Sequence, residues 1–220
     1  MTAAIRVGGV SKRFPGADPV LCDVELNAVG GTLTLVTGEP GAGLSTLLRC
    51  LTGVYRPDTG EVIVRLGGNA EVSLCDAGPR VVAWLRGQHI ASFDGPLAAP
   101  PRLPAAVAIA RSAGCSRASA AVGLDRLNVA HLATVPIGRL RTADRMTVAL
   151  AAALLAQRPI VVLDDPGRWI VGTDQLTRSV RRATEAGAAV VATGPPGCAL
   201  SAIAATTGEL HKGRIVWHTP

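Results

Sequence analysis

The chain has 220 residues, of which 48% are hydrophobic, and a net charge of +6. This length and hydrophobic content allow one sizeable core, in a single domain or in a domain with a subdomain. The positive charge comes mostly from scattered arginines, without a zinc-finger spacing or an RNA-binding aromatic motif. A basic module that binds nucleic acid or another anion is therefore the least favoured class of function.

The predicted elements alternate between apolar strands and helices. In chain order they are strands at 5–10 and 20–28, a strand at 32–37, a helix at 45–52, a hairpin of 61–66 and 70–74 around Gly67-Gly68-Asn69, a strand at 90–93, an Ala-rich helical stretch up to residue 157, a strand at 160–163, a helix at 174–185, a strand at 188–193 and a closing pair near 209–217. The strands at 32–37 and 160–163 are continuously apolar, which is typical of a parallel sheet covered on both faces.

This order predicts an α/β fold with a mainly parallel sheet in a three-layer core of the P-loop NTPase type. An antiparallel β subdomain is expected at the amino-terminal end. The helical stretch predicts an inserted subdomain at about 95–157, within one domain that spans residues 1–220.

The loop that follows the strand at 32–37 matches a phosphate-binding loop at every fixed position except one. The pattern G-x-x-x-x-G-K-[ST] begins at Gly38, but Leu44 occupies the lysine position. In such a loop, backbone N–H groups cradle phosphates, the lysine reaches the β- and γ-phosphates, and the next hydroxyl binds Mg²⁺. The alternative is a tight turn between strand and helix without any ligand. The candidate contacts are Gly38, Gly41, Ala42, Gly43, Leu44, Ser45 and Thr46, with Ser45 as the Mg²⁺ ligand.

The order of motifs from about Val10 to Val216 resembles the ATP-binding cassette (ABC) family. The resemblance rests on the opening segment 11–14, the loop at 38–46, the register of the signature helix at 140–155, the second nucleotide motif at 160–166 and the closing hairpin at 209–216. It implies ATP and Mg²⁺ as cofactors, with Phe14 stacking on adenine, Asp164 organising Mg²⁺ and Asp165 as a shortened catalytic base. For Asp164 and Asp165, a solvated strand end is the alternative.

Segments 48–85 and 101–105 most resemble the cassette protein associated with the carbon–phosphorus lyase pathway. The resemblance also implies a dimer with a second copy or another cassette subunit. A membrane permease or a complex of phosphonate metabolism is the further partner that we expect, whereas nucleic acid is not favoured.

The sequence departs from the family pattern at most functional positions. Leu44 replaces the lysine, Gly95 stands at the expected position of the sensor glutamine, and the signature L-S-G-G-Q reads L-R-T-A-D at 140–144. Asp165 replaces the catalytic glutamate, and Gly194 replaces the switch histidine. A base that is one methylene shorter changes the distance to the attacking water, which can cost on the order of 10²-fold in rate.

The cysteine pattern and the hydropathy indicate the compartment. The five cysteines are widely spread without a C-x-x-C pair, as expected for reduced thiols. No signal-peptide pattern precedes Ile5, and the longest apolar run, 148–156, is too short to cross a bilayer. We expect a cytoplasmic protein, which could lie at the inner face of the membrane through a permease.

The favoured hypothesis is a degenerate cassette protein that hydrolyses ATP weakly or not at all and acts as a subunit or scaffold. The first alternative is a functional ATP-binding subunit of an ABC transporter, with a partner that supplies competent groups. The second alternative is the basic nucleic-acid or anion-binding module.

Overall fold

The computed structural model describes residues 4–66, 70–170 and 172–218. The strands are β1 (Ala4–Lys12), β2 (Leu21–Val29), β3 (Leu33–Thr37), β4 (Thr59–Arg65), β5 (Glu71–Ser73), β6 (Ile90–Phe93), β7 (Ile160–Leu163), β8 (Ala189–Gly194), β9 (Thr206–His211) and β10 (Arg214–His218). The α-helices are α1 (Leu44–Leu51), α2 (Pro79–Gln88), α3 (Ala105–Ala113), α4 (Arg117–Arg126), α5 (Thr142–Leu155) and α6 (Thr173–Glu185).

The main sheet has six strands in the order β10-β9-β3-β8-β7-β6. The pairs from β9 to β6 are parallel and only β10 runs antiparallel, which confirms the predicted mainly parallel sheet. All residues of β3, β7 and β8 are buried, as their apolar sequences predict. The carboxyl ends of β3, β8, β7 and β6 lie along one edge of the sheet, and the residues that follow these strands meet there.

A second, antiparallel sheet has the order β2-β1-β4-β5, which confirms the expected amino-terminal β subdomain. The hairpin of β4 and β5 forms as predicted, while its turn at 67–69 lies outside the described residues. Gly60 has a φ of 83° beside β1, and a Cβ added there would lie 2.4 Å from the carbonyl carbon of Gly9. Glycine is required at this crossing of the two strands.

Apolar side chains cover both faces of the main sheet. One cluster joins the sheet to α1 and the antiparallel sheet, with Leu47 and Leu51 fully buried in it. The opposite cluster joins the sheet to α5 and α6 through Leu150 and Val180. The three layers of the predicted core are therefore present.

Helices α3, α4 and α5 lie in sequence between β6 and β7 and share a further apolar cluster that includes Ile109 and Leu124. This arrangement confirms the inserted helical part of the fold. Small residues dominate the packing face of α3, which allows these short helices to approach one another closely.

Helix α2 was not predicted from the sequence. Only Leu85 of its ten residues is buried, so the helix lacks the apolar stripe by which helices are recognised. Pro79 at its first turn is the remaining sequence signal for a helix start.

Candidate nucleotide-binding site

The loop between β3 and α1 retains the backbone conformation that its glycines allow. Gly41 and Gly43 have φ values of 89° and 106°, in the left-handed region. A Cβ on Gly43 would lie 2.8 Å from Cγ1 of Val20, so a larger residue cannot take this position without a shift. Helix α1 then begins at Leu44 without a side-chain cap. Its first-turn N–H groups lack intrahelical partners and form the kind of positive end that binds anions.

Leu44 is half-buried and packs with Ala42 against the core cluster that contains α1. Its side chain lies close to the first glycine of the loop, since a Cβ on Gly38 would be 3.6 Å from Cδ1 of Leu44. The position that carries a cation in a lysine-containing loop thus contributes apolar packing here.

The loop forms one wall of a cleft with a volume of ≈ 540 Å³. Four carboxylates and one guanidinium are the charged groups among the described residues that line it: Glu39, Asp94, Asp164, Asp165 and Arg168. Acidic side chains outnumber basic ones, which is unfavourable for a bare phosphate anion. The cleft therefore needs a cation or backbone dipoles to accept phosphate.

Thr193, at the end of β8, connects the two aspartates that follow β7. Its hydroxyl donates to Oδ1 of Asp164 at 3.0 Å and accepts from the backbone N–H of Asp165 at 3.1 Å. The residue is 1% exposed, so water does not replace these bonds readily. Thr193 thereby fixes the orientation of the Asp164 carboxylate, and sequence reasoning did not identify it.

Asp165 occupies the left-handed region, with φ 41° and ψ 59°. Asp, Asn and Gly adopt this conformation most readily, whereas other side chains are strained by about 1 kcal/mol or more. The backbone therefore favours aspartate over the longer glutamate at this position. Burial, followed by the neighbouring charge of Asp164, raises the pKa of Asp165.

Asp94 lines the cleft immediately after β6. The sequence interpretation had placed Gly95 at the sensor position, but Gly95 is not among the lining residues. Because Phe93 pairs with Leu163 in parallel register, the residues that follow them, Asp94 and Asp164, meet at the same sheet edge. A carboxylate directly after a buried strand was the signal for Asp94.

Phe14 lies outside the set of residues that line the cleft and packs edge-to-face on Tyr55, with ring centroids 5.4 Å apart. The segment before it is held by Asp58, which accepts from Nζ of Lys12 and from the backbone N–H of Arg13, both at 2.7 Å. These bonds lower the pKa of Asp58. Stacking of Phe14 on adenine stays a prediction.

The profile of the family described as "ABC transporter" matches residues 21–168. The match covers more than half of the chain. The chain belongs to the ABC transporter family.

Curated relatives of this cassette include ribose import ATP-binding proteins. It is 32% identical over 200 residues to Ribose import ATP-binding protein RbsA 2 of Rhizobium johnstonii, a match that covers 86% of this chain and 38% of the relative. Ribose import ATP-binding protein RbsA 1 of Rubrobacter xylanophilus is 30% identical over 203 residues, a match that covers 87% of this chain and 39% of that relative. ATP-dependent lipid A-core flippase of Xylella fastidiosa is 29% identical over 167 residues, a match that covers 73% of this chain and 28% of the flippase. The cassette thus spans well under half the length of these relatives.

Solved cassettes share the fold of this chain. A dimeric ATP-binding cassette in a post-hydrolysis state with ADP and Pi superposes with a TM-score of 0.83 at 18% identity, covering 98% of both chains. A nucleotide-free ATP-binding cassette from an ABC transporter gives a TM-score of 0.73 at 19% identity, and the superposition covers 97% of this chain and 90% of that cassette. Among the described residues, the cassette has no helix long and apolar enough to span a bilayer.

The signature segment, 140–144, lies at the start of α5 and is not part of the cleft lining, although Met146 of the same helix is. Arg141 is the N-cap residue but provides no side-chain cap, and Thr142 and Ala143 are exposed. None of these residues lines the cleft that the loop forms. Gly194 does line it, and its carbonyl accepts from the N–H of Gly38 at 3.3 Å.

Ser45 and Asp164 line the same cleft and offer the hard oxygen atoms that Mg²⁺ prefers. Within the described ranges, no group of three or more His, Cys, Asp or Glu side chains is placed to hold a metal ion. The chemistry of these two oxygen donors suits a Mg²⁺ ion, which would take its other ligands from nucleotide phosphates and water. When bound, that ion would offset phosphate charge beside the carboxylates.

Proposed function

We propose that this cassette is a weakly or non-hydrolysing subunit or scaffold of an ABC-type assembly, formed by residues 1–220 with a helical subdomain at 95–157. The observation that carries the proposal is the packing of Leu44 into the core beside a cleft with four carboxylates and one arginine. A charge-assisted hydrogen bond contributes about 1.5–3 kcal/mol, so the absence of the lysine lowers ATP affinity by roughly ten- to a hundredfold.

Four other residues, which belong to three motifs, support weak hydrolysis. Gly194 has no side chain with which to act as the switch histidine does in the family. Asp165 is shorter than the usual base, and its left-handed backbone favours that shorter side chain. At the signature, Thr142 and Ala143 add side chains where family members use glycine for close approach to phosphate.

The test is steady-state phosphate release by the purified protein with Mg²⁺ and ATP, compared with the Asp164→Ala variant. We expect at most slow turnover from the unaltered protein, close to the background of Asp164→Ala. Rapid Mg²⁺-dependent turnover, at the rate of an active ATPase (about 1 s⁻¹ or more), that disappears in Asp164→Ala would contradict the proposal.

The alternative is a functional ATP-binding subunit whose partner supplies competent groups. The glycine conformations of the loop and the Thr193–Asp164 hydrogen bond favour it. The likeness to ribose import ATP-binding proteins favours it as well. A composite dimer uses one subunit's loop with the other subunit's signature, and both are altered here. Co-purification with a membrane permease and ATP turnover of that complex would select this alternative.

We infer dimerisation with a second copy or another cassette, and a peripheral position at the inner face of the membrane through a permease. The sugar importers among the relatives make a carbohydrate permease the first partner to test. A complex of phosphonate metabolism stays a prediction from the sequence resemblance.

A further inference from the structure

A second cavity lies at the opposite end of the parallel strands from the nucleotide cleft. It has a volume of ≈ 800 Å³ and is bounded by α4, the end of α5, the segment 157–159 and the second half of α6. Pro159 and Ala188, which directly precede β7 and β8, line it. The cavity therefore spans the helical cluster and the amino-terminal edge of the main sheet.

The charged side chains that line this cavity are all basic. Arg126, Arg158 and Arg182 line it, and the lining contains no aspartate or glutamate among the described residues. None of the three belongs to the ion pairs formed within the described ranges. Nη1 of Arg158 donates to the backbone carbonyl of Gln88 at 3.3 Å, which leaves its other donors available. Three guanidinium groups with no acidic counter-charge in the described lining favour an oxyanion, with Arg158 half-buried and Arg126 and Arg182 exposed.

The remaining lining is largely apolar. Val122, Leu127, Leu154, Leu155 and Val161 contribute aliphatic side chains. The volume lies within the range of small-molecule sites, about 300–1,000 Å³. Apolar walls together with a few charged groups are the composition of a site for an amphipathic small molecule.

We propose that this cavity, the arginine cavity, binds a soluble phosphate monoester that carries an apolar chain. The phosphate dianion pairs with the guanidinium groups, which form bidentate hydrogen bonds to phosphate oxygens. The apolar chain covers the aliphatic wall formed by α4 and α5. Because α4 and α6 both line the cavity, the ligand contacts the helical cluster and the sheet layer at once.

The proposal is tested by calorimetric titration of the whole chain with octyl phosphate, below its micelle concentration. We expect saturable binding of one octyl phosphate per chain. Inorganic phosphate lacks the apolar chain and octylammonium has the wrong charge, so both should bind at least tenfold more weakly. Equal binding of either compound would overturn the proposal, as would no binding of octyl phosphate.

Substitutions at the lining residues test whether octyl phosphate binds in the arginine cavity. Arg126→Gln combined with Arg182→Gln should weaken octyl phosphate binding by roughly tenfold or more, because charge-assisted hydrogen bonds are lost. Arg178→Gln combined with Arg181→Gln is the matched control, since both are exposed arginines of α6 that do not line the cavity. Ala118→Phe, at an exposed lining position of α4, should fill the cavity and reduce binding.

Thermal unfolding of each variant checks that it is folded. Binding that is unchanged in the double arginine variant would place octyl phosphate elsewhere, including the nucleotide cleft, and would overturn the assignment. Phospholipid headgroups offer the same phosphate chemistry, so vesicles with phosphatidic acid form a separate arm. Vesicle binding without octyl phosphate binding would contradict a soluble ligand.

Discussion

Replacement of Leu44 by lysine directly tests the reason given for weak nucleotide binding. The loop already has its glycine conformations and the uncapped start of α1, so the cation is the phosphate-binding group that the variant supplies. One charge-assisted hydrogen bond contributes about 1.5–3 kcal/mol, which corresponds to about ten- to a hundredfold tighter binding of Mg²⁺–ATP.

The same change affects stability. Leu44 is half-buried against the core, so its loss should lower the free energy of unfolding by about 1 kcal/mol. The aliphatic stem of lysine covers part of the same surface and reduces this loss. Leu44→Met is the control variant, because it keeps the apolar volume and adds no charge.

Calorimetric titration with Mg²⁺–ATP measures the affinities of the three proteins, and urea unfolding measures their stabilities. We expect a gain in affinity for Leu44→Lys alone. An unaltered protein that binds as tightly as Leu44→Lys would refute the reasoning, because the lysine would then be unnecessary. A folded Leu44→Lys protein without any gain would refute it as well, by showing that the cleft does not present phosphate to this position.

Further changes test the geometry around the cleft. Thr193→Val should lower the free energy of unfolding by about 1–3 kcal/mol in urea titrations, because it leaves two polar groups without their buried partner. Asp165→Asn should raise stability at neutral pH, because the raised pKa of this aspartate means that its ionisation disfavours the folded state. The stabilisation should disappear in thermal unfolding at a pH below the ordinary pKa of aspartate, about 3.9. Arg141→Ser should stabilise by about 1 kcal/mol in urea unfolding, because serine at an N-cap accepts a helix N–H.

For each of these substitutions there is a control variant or a result that would contradict the explanation. Thr177→Val removes a hydroxyl whose exposed hydrogen bond is to the carbonyl of Thr173 in the same helix, so its effect should be small beside that of Thr193→Val. A stabilisation by Asp165→Asn that does not vary with pH would show relief of backbone strain instead of relief of charge burial. Arg139→Ser removes a nearby arginine that is not an N-cap, and an equal stabilisation there would argue against the capping explanation.

The apolar strands were predictable because they are buried on both faces. The predicted bounds of β6 and β7, 90–93 and 160–163, agree with the structure, since each is a short, mostly apolar run that ends at an aspartate. Helix α2 was missed for the opposite reason, because it buries almost nothing. The phosphate-loop glycines were also predictable, since their spacing is local.

The cleft was only partly predictable. Asp164 and Asp165 were identified by their position after an apolar strand, but Asp94 and Thr193 were not. These residues meet because β6, β7 and β8 are neighbours in the sheet, although long segments separate them in sequence. A single sequence does not give that strand order directly.

The sequence by itself determined the family pattern and the loss of the lysine, because each motif is a short local run and the order of the motifs can be read along the chain. Only the tertiary structure decided what Leu44 does, which is to pack against the core beside Gly38. It also decided that four carboxylates share one cleft and that three arginines share a separate cavity. Such groupings depend on the packing of distant segments, and packing is a property of the folded chain.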